Sequence, residues 1–269
     1  MKEPATRLPS LFVGHGNPMN ALADNAITRA WSALGRALPR PAAVLCISAH
    51  WYLPGTRVTA MEMPRTIHDF GGFPPELHAV QYPAPGDPAL AGRVRALLAA
   101  PDPATGPIDV AADRAWGLDH GAWSVLVHLF PDADIPVVQL SLDETRSPGF
   151  FLALGRRLRP LRDDGVLLLG SGNLVHNLHA YAWGRHPVAP FDWAVRFEEF
   201  ARARIAADDP APLADYAALG RDAALSIPTP EHYLPLLVAL GARHPGEPAT
   251  FPVEGIDGGS ISMLAVQLG

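Results

Sequence analysis

The run Ala43–Ala49, AVLCISA, closes on His50 and Trp51. Apolar and small residues follow one another without polar alternation. That pattern reads as a strand buried on both faces, as in a parallel sheet covered by helices. Val166–Leu169 has the same character, and Ser10–Val13 is a shorter apolar run ending in glycine. Pro136–Leu142 begins as a buried run and then alternates. Arg57–Met61 alternates like an edge or hairpin strand, and Ile261–Leu268 reads as a closing strand. Helical patterns fall at Asn25–Ala37, Ala89–Ala99, Ser124–Phe130, Gly149–Leu158, Phe191–Ala206 and Pro230–Leu240. In the last, Thr229 suits the N-cap and Glu231 the positive end of the dipole, while Pro235 argues for a later start. Strand alternating with helix predicts an α/β sandwich: a central, mostly parallel or mixed sheet with helices on both faces. No repeat, low-complexity linker or charge block divides the chain, so residues 1–269 read as one domain. The Pro/Gly-rich stretch Asp69–Pro88 is long for a loop, and loops of that length are usually functional or mobile.

Composition narrows the function. Lys+Arg total 21 against 27 Asp+Glu, a net charge of −6, which argues against a nucleic-acid binder. No apolar stretch approaches the ~18–20 residues of a membrane span. The opening MKEPATRLPS has no apolar core of a secretory signal, so a cytoplasmic protein is expected. The single cysteine, Cys46, excludes an intrachain disulfide and a cysteine-based zinc site.

The histidines carry the chemical signal. His15 stands in G-H-G-N-P, His50 in S-A-H-W, and His176 in G-S-G-N-L-V-H-N-L. Each lies just past the C-terminal end of a predicted strand, the edge at which open α/β sheets bind ligands. Neutral imidazole is the commonest transition-metal ligand, so three histidines meeting there suit a metal. Plain alternatives exist: a turn histidine at His15, a capped strand end at His50, and an anion nest in G-S-G-N. G-S-G is not the G-x-S-x-G elbow, which speaks against a serine hydrolase. His120 follows Asp119 in W-G-L-D-H-G-A-W; Asp119 is placed to orient it or raise its pKa, unless the segment only caps a helix. His232, in P-T-P-E-H-Y-L-P, suits either a site or a helix start. His68, in T-I-H-D-F-G-G-F-P, belongs to the long loop and is expected at a substrate mouth. His78, His128, His179, His186 and His244 read as surface or structural residues.

Taken in order, the strings G-H-G-N-P-M-N (14–20), S-A-H-W (48–51), I-H-D-F-G-G-F-P (67–74), Y-P-A-P-G (82–86) and W-G-L-D-H-G (116–121) form a specific set. P-D-A-D-I-P-V-V-Q-L-S (131–141), G-S-G-N-L-V-H-N-L (170–178), P-T-P-E-H-Y-L-P-L-L (228–237) and P-V-E-G-I (252–256) complete it. The combination resembles the DODA-type class III extradiol ring-cleavage dioxygenases, especially the bacterial 4,5-DOPA dioxygenase branch, from Leu8 to Gly269. The resemblance implies a LigB-like α/β fold and one divalent metal per chain, Fe(II) in active enzymes, with Zn(II) often held by isolated proteins. It implies His15, His50 and His232 as metal ligands, with histidine at the third position where other class III enzymes have glutamate. It implies His176 as base or acid beside the metal, or as a further ligand, and His120 as an active-site histidine near the substrate hydroxyls. Asn17 departs from the serine of many relatives. The implied substrates are a small aromatic catechol, 4,5-DOPA or a related compound, and O2, in a monomer or small homo-oligomer.

A neutral imidazole of ordinary pKa can take a catechol proton at neutral pH. Trp51, Phe70, Phe73 and Tyr233 are candidates for the flat apolar walls an aromatic substrate wants, with His68 at the mouth. Two other readings stand beside this one. A three-histidine zinc site with His176 as base would suit a hydrolase, although no H-E-x-x-H and no glutamate beside a ligand is evident. A non-catalytic binding protein on the same fold would be expected to lack one or more of the five histidines, and all five are present.

Overall fold

The computed structural model describes residues 6–185 and 187–269. His186 and the first five residues of the N-terminal stretch read above lie outside them. The central sheet has six strands: β1 Ser10–Gly14, β2 Ala43–Ser48, β3 Val137–Gln139, β4 Val166–Gly172, β5 Ala249–Val253 and β6 Ala265–Leu268. Their order is β5-β6-β1-β4-β2-β3. The pairs β1–β4, β4–β2 and β2–β3 are parallel, and β6 is antiparallel to both β1 and β5. The predicted mixed sheet is therefore present, with its parallel part at the centre.

Side-chain alternation splits the interior in two. Leu11, Val13, Val44, Cys46, Leu167 and Leu169 point to one face, with Trp31 and Leu34 of helix α1 (Ala26–Ala37). Phe12, Leu45, Ile47, Val166 and Leu168 point to the other face. There they meet the apolar sides of Pro148–Leu158 and Leu234–Gly241. Successive strand residues face opposite ways, so an unbroken apolar run such as AVLCIS requires helices on both sides. Asn25 caps α1 through a capping box with Thr28.

Several predicted boundaries move, each for a local reason. The helix expected from Pro230 begins at Leu234. Thr229 Oγ1 donates to Glu231 Oε1 instead of capping a helix, so residues 229–233 form a turn. The closing run divides: Ile261–Ser262 folds back on Ile256–Asp257, and only Ala265–Leu268 joins the sheet. Pro136–Leu142 divides too, since Leu142–Asp143 leaves the sheet to pair with Tyr52–Leu53. Thr56–Thr59 is not in a hairpin but pairs in parallel with Val110–Asp113. The helix read from Ser124 starts at His120, where Asp119 accepts from the Ala122 N–H. Among the described residues, no helix is long and apolar enough to cross a membrane.

Candidate metal centre and active site

β1, β4 and β2 are neighbours, so their C-terminal ends deliver His15, the Asn173–His176 segment and His50 to one edge of the sheet. His232 arrives from a different direction. Its turn lies directly on the end of β4, where Asn173 N donates to His232 O at 2.8 Å. A Cβ on Gly172 would stand 2.1 Å from that carbonyl, so glycine is what admits the turn.

One ring nitrogen from each of His15, His50 and His232 lies within 4.8 Å of the others. Hydrogen bonds at Nδ1 orient the His15 and His232 rings, and a carboxylate stands beside Nδ1 of His50. Ser171 Oγ donates to Gly121 O, so it accepts at 3.0 Å from His15 Nδ1. His50 Nδ1 faces Asp69 Oδ2 at 3.3 Å, and His232 Nδ1 faces Glu231 Oε1 at 3.2 Å. Glu231 only accepts and the Ser171 hydroxyl has spent its proton, so His15 and His232 carry theirs at Nδ1 and, when neutral, keep the Nε2 lone pair. His15 Nε2 and His50 Nε2 stand 3.2 Å apart. The separation suits two ligands of one ion with bonds of ~2.1 Å.

The electrostatics agree. Burial, and then the neighbouring His50, hold His15 well below its ordinary pKa; burial and His120 do the same to His50. Burial and the His232 ring push His176 down to about 3. These rings are neutral at pH 7, the form that binds a metal. Burial favours a protonated Glu231, but its bonds to His232 and Thr229 outweigh this and bring it to about 2, so it stays ionised behind its histidine.

The five histidines line a cavity of about 300 Å³. The His176 ring lies flat on His232, and the His120 ring is 3.8 Å from that of His50, centroid to centroid. His120 Nδ1 sits 3.0 Å from Asp69 Oδ2, the same oxygen that faces His50. Phe70 and Phe73 supply an apolar wall.

Other expected contributors stand elsewhere. Trp51 is buried and stacks on Trp116 with the rings 4° from parallel. Tyr233 is buried against Phe197 and Tyr216, its hydroxyl donating to Leu213 O. His68 bonds the Val80 carbonyl and packs against Phe70 and Trp123, outside the cavity lining. Asp119 does not hold the His120 ring; it is buried among Ser48, Gln139 and the helix N-terminus, and the carboxylate beside the ring is that of Asp69, which accepts from the His120 backbone N–H. A glutamate does stand beside a candidate ligand, namely Glu231. Its Oε1 meets both His232 and Thr229, so it steadies the ring. Sequence reasoning also missed Leu178, Tyr181, Trp183 and Asp257 on the cavity wall.

Comparison with known proteins gives the family. Residues 11–251 match the family described as the catalytic LigB subunit of aromatic ring-opening dioxygenase. The chain is 52% identical over 270 residues to a 4,5-DOPA dioxygenase extradiol of Escherichia coli (strain K12), covering 98% of this chain and 96% of that protein. It is 36% identical over 256 residues to the Beta vulgaris protein of the same name, covering 94% and 93%. Among solved structures, an uncharacterized protein of Escherichia coli K12 superposes with a TM-score of 0.84 at 49% identity, covering 98% of this chain and all of that one. A five-histidine cavity at the parallel strand ends, inside a match of this extent, places the chain in the LigB family of aromatic ring-opening dioxygenases.

Proposed function

We propose that residues 1–269 form one catalytic domain that opens the ring of a catechol with dioxygen. Its metal is one divalent ion held by His15, His50 and His232, iron(II) in the active enzyme and zinc(II) when the isolated protein has lost iron. The observation that carries this reading is the convergence of the three rings: one nitrogen of each lies within 4.8 Å of the others, with the Nε2 atoms of His15 and His50 at 3.2 Å. When bound, the metal acidifies the catechol hydroxyls and provides the electron path from the ring to dioxygen.

The chain's own groups do the rest. His176 borders the cavity flat against His232, so it is the group placed to take a catechol hydroxyl proton and return it later in the reaction. Its flat contact with His232 keeps it beside the metal ligands without competing for their Nδ1 partners. His120, held through Asp69, faces the same space and orients a second substrate oxygen. Phe70 stands edge-on to His120 at 5.4 Å and bounds the slot for a flat ring. The cavity volume suits a single-ring substrate. The relatives named for 4,5-DOPA support DOPA or a catechol like it.

The test is anaerobic reconstitution with Fe(II), followed by admission of oxygen to a panel of catechols. Oxygen uptake with a yellow ring-fission product is expected, and His15→Ala or His50→Ala should abolish both metal retention and uptake. An Fe(II)-loaded protein that consumes no oxygen with any catechol, or that keeps its metal in both variants, overturns the proposal.

A further inference from the structure

One wall of the cavity has no part in holding metal or moving protons. Tyr181 and Asp257 both line it, and the Tyr181 hydroxyl donates to Asp257 Oδ2 at 2.8 Å. The pair is firmly built. Asp257 ends the first strand of the Ile256–Asp257/Ile261–Ser262 hairpin, whose turn continues through Gly258 at φ 54°. A Cβ on Gly258 would fall 2.0 Å from the Tyr181 ring, so only glycine lets that ring rest on the turn. Ala182 N donates to Gly258 O at 3.0 Å and locks the two segments together.

The charge pattern of the wall is one-sided. Among the described residues lining the cavity, Asp257 is the one carboxylate, and none is arginine or lysine. Its neighbours on this wall, Ile261, Leu178 and Trp183, are apolar. An aromatic ligand seated here takes water from the carboxylate and costs binding energy unless it brings a cation of its own. A carboxylate on the ligand, in contrast, meets no arginine or lysine among the described lining residues and faces Asp257.

We propose that Asp257 is a specificity residue that receives the ammonium group of a catechol whose side chain ends in a protonated amine. The proposal rests on the cavity being the catechol site. It ranks substrates by side-chain charge: amine above neutral, neutral above carboxylate. It also holds that the amine, not any carboxylate, is what this wall recognises in an amino-acid catechol.

The experiment measures binding without turnover. Fe(II)-loaded protein is titrated calorimetrically under anaerobic conditions with 4-(2-aminoethyl)catechol, 4-ethylcatechol and 3,4-dihydroxyphenylacetate. Wild-type protein should bind the amine at least ~10-fold more tightly than the ethyl compound, and the carboxylate more weakly still. Asp257→Asn should bring the amine-to-ethyl ratio close to one. Equal affinities in the wild type overturn the proposal without recourse to any variant, as does a ratio that survives in Asp257→Asn. Admission of oxygen then separates the two proposals. A correct ranking with no cleavage of any catechol defeats the dioxygenase reading alone. Cleavage of all three with no ranking defeats the role of Asp257 alone.

Discussion

The ring of His176 lies 3.6 Å from that of His232, centroid to centroid, with the planes 6° from parallel. Two imidazolium rings would repel in this position, so the stack holds only while at least one is neutral. His232 sends Nδ1 to Glu231, whereas His176 is pinned through its backbone, its N–H donating to Ser226 O. The stack therefore pairs a ring anchored for metal binding with a ring held beside it for another purpose.

This difference in anchoring predicts how a His176→Ala variant behaves. The Nδ1 partners of His15, His50 and His232 are untouched, so metal content measured after purification should match that of the wild type. Turnover should fall ~10²–10⁴-fold, the usual contribution of a group that only transfers protons. Loss of metal in parallel with activity would make His176 a ligand.

The neutral histidines also set a pH dependence for the metal-free protein. Their folded pKa values lie below the unfolded value near 6.5, at about 3 for His176. Between those limits the unfolded chain binds protons that the folded chain refuses. Stability is then constant above about pH 6.5 and is lost as pH falls below it, each such histidine adding about 1.4 kcal/mol per pH unit to the slope. Thermal melts of metal-free protein from pH 8 to 4.5 should show a plateau and then a steep fall. A flat profile through pH 5.5 would mean that these rings are already protonated in the folded state.

Asp69 ties two candidate functions together. One oxygen faces Nδ1 of both His50 and His120, and the other accepts from the His120 backbone N–H at 2.9 Å. Asp69→Asn should lower metal affinity about 10–100-fold, as loss of a carboxylate behind a ligating histidine usually does. A competing chelator reads this directly, and unchanged affinity would show that the carboxylate does not orient His50.

The sequence made the strands legible because AVLCIS and its like have no polar face to misassign. The five histidines were legible because each follows a strand, a glycine or a proline in a recognisable string. What could not be seen was side-chain direction within turns and contacts between distant segments. Tyr233 follows His232 directly, yet it points into the core toward Leu213 while His232 faces the cavity. Trp51 follows His50, yet it stacks on Trp116. Asp69 meets His120 from 51 residues away, a contact that no local periodicity encodes. Asp119, adjacent in sequence, looked the better partner and was drawn instead into capping and into Gln139.

The same contrast supplies a paired test of the substrate wall. Phe73 and Phe70 meet edge to face at 5.3 Å and line the cavity, so Phe73→Ala widens the slot without touching a metal ligand. It should reorder kcat/KM among catechols with ring substituents of increasing size, favouring the larger ones, while metal content stays constant. Tyr233→Phe removes only the hydroxyl that donates to Leu213 O inside the core. It should cost about 1 kcal/mol and lower the melting temperature by ~2–4 °C. The catechol ranking should not change, because the Tyr233 ring does not reach the cavity. Should Tyr233→Phe reorder the substrates and Phe73→Ala leave them alone, the wall would have to be redrawn on the other side of His232.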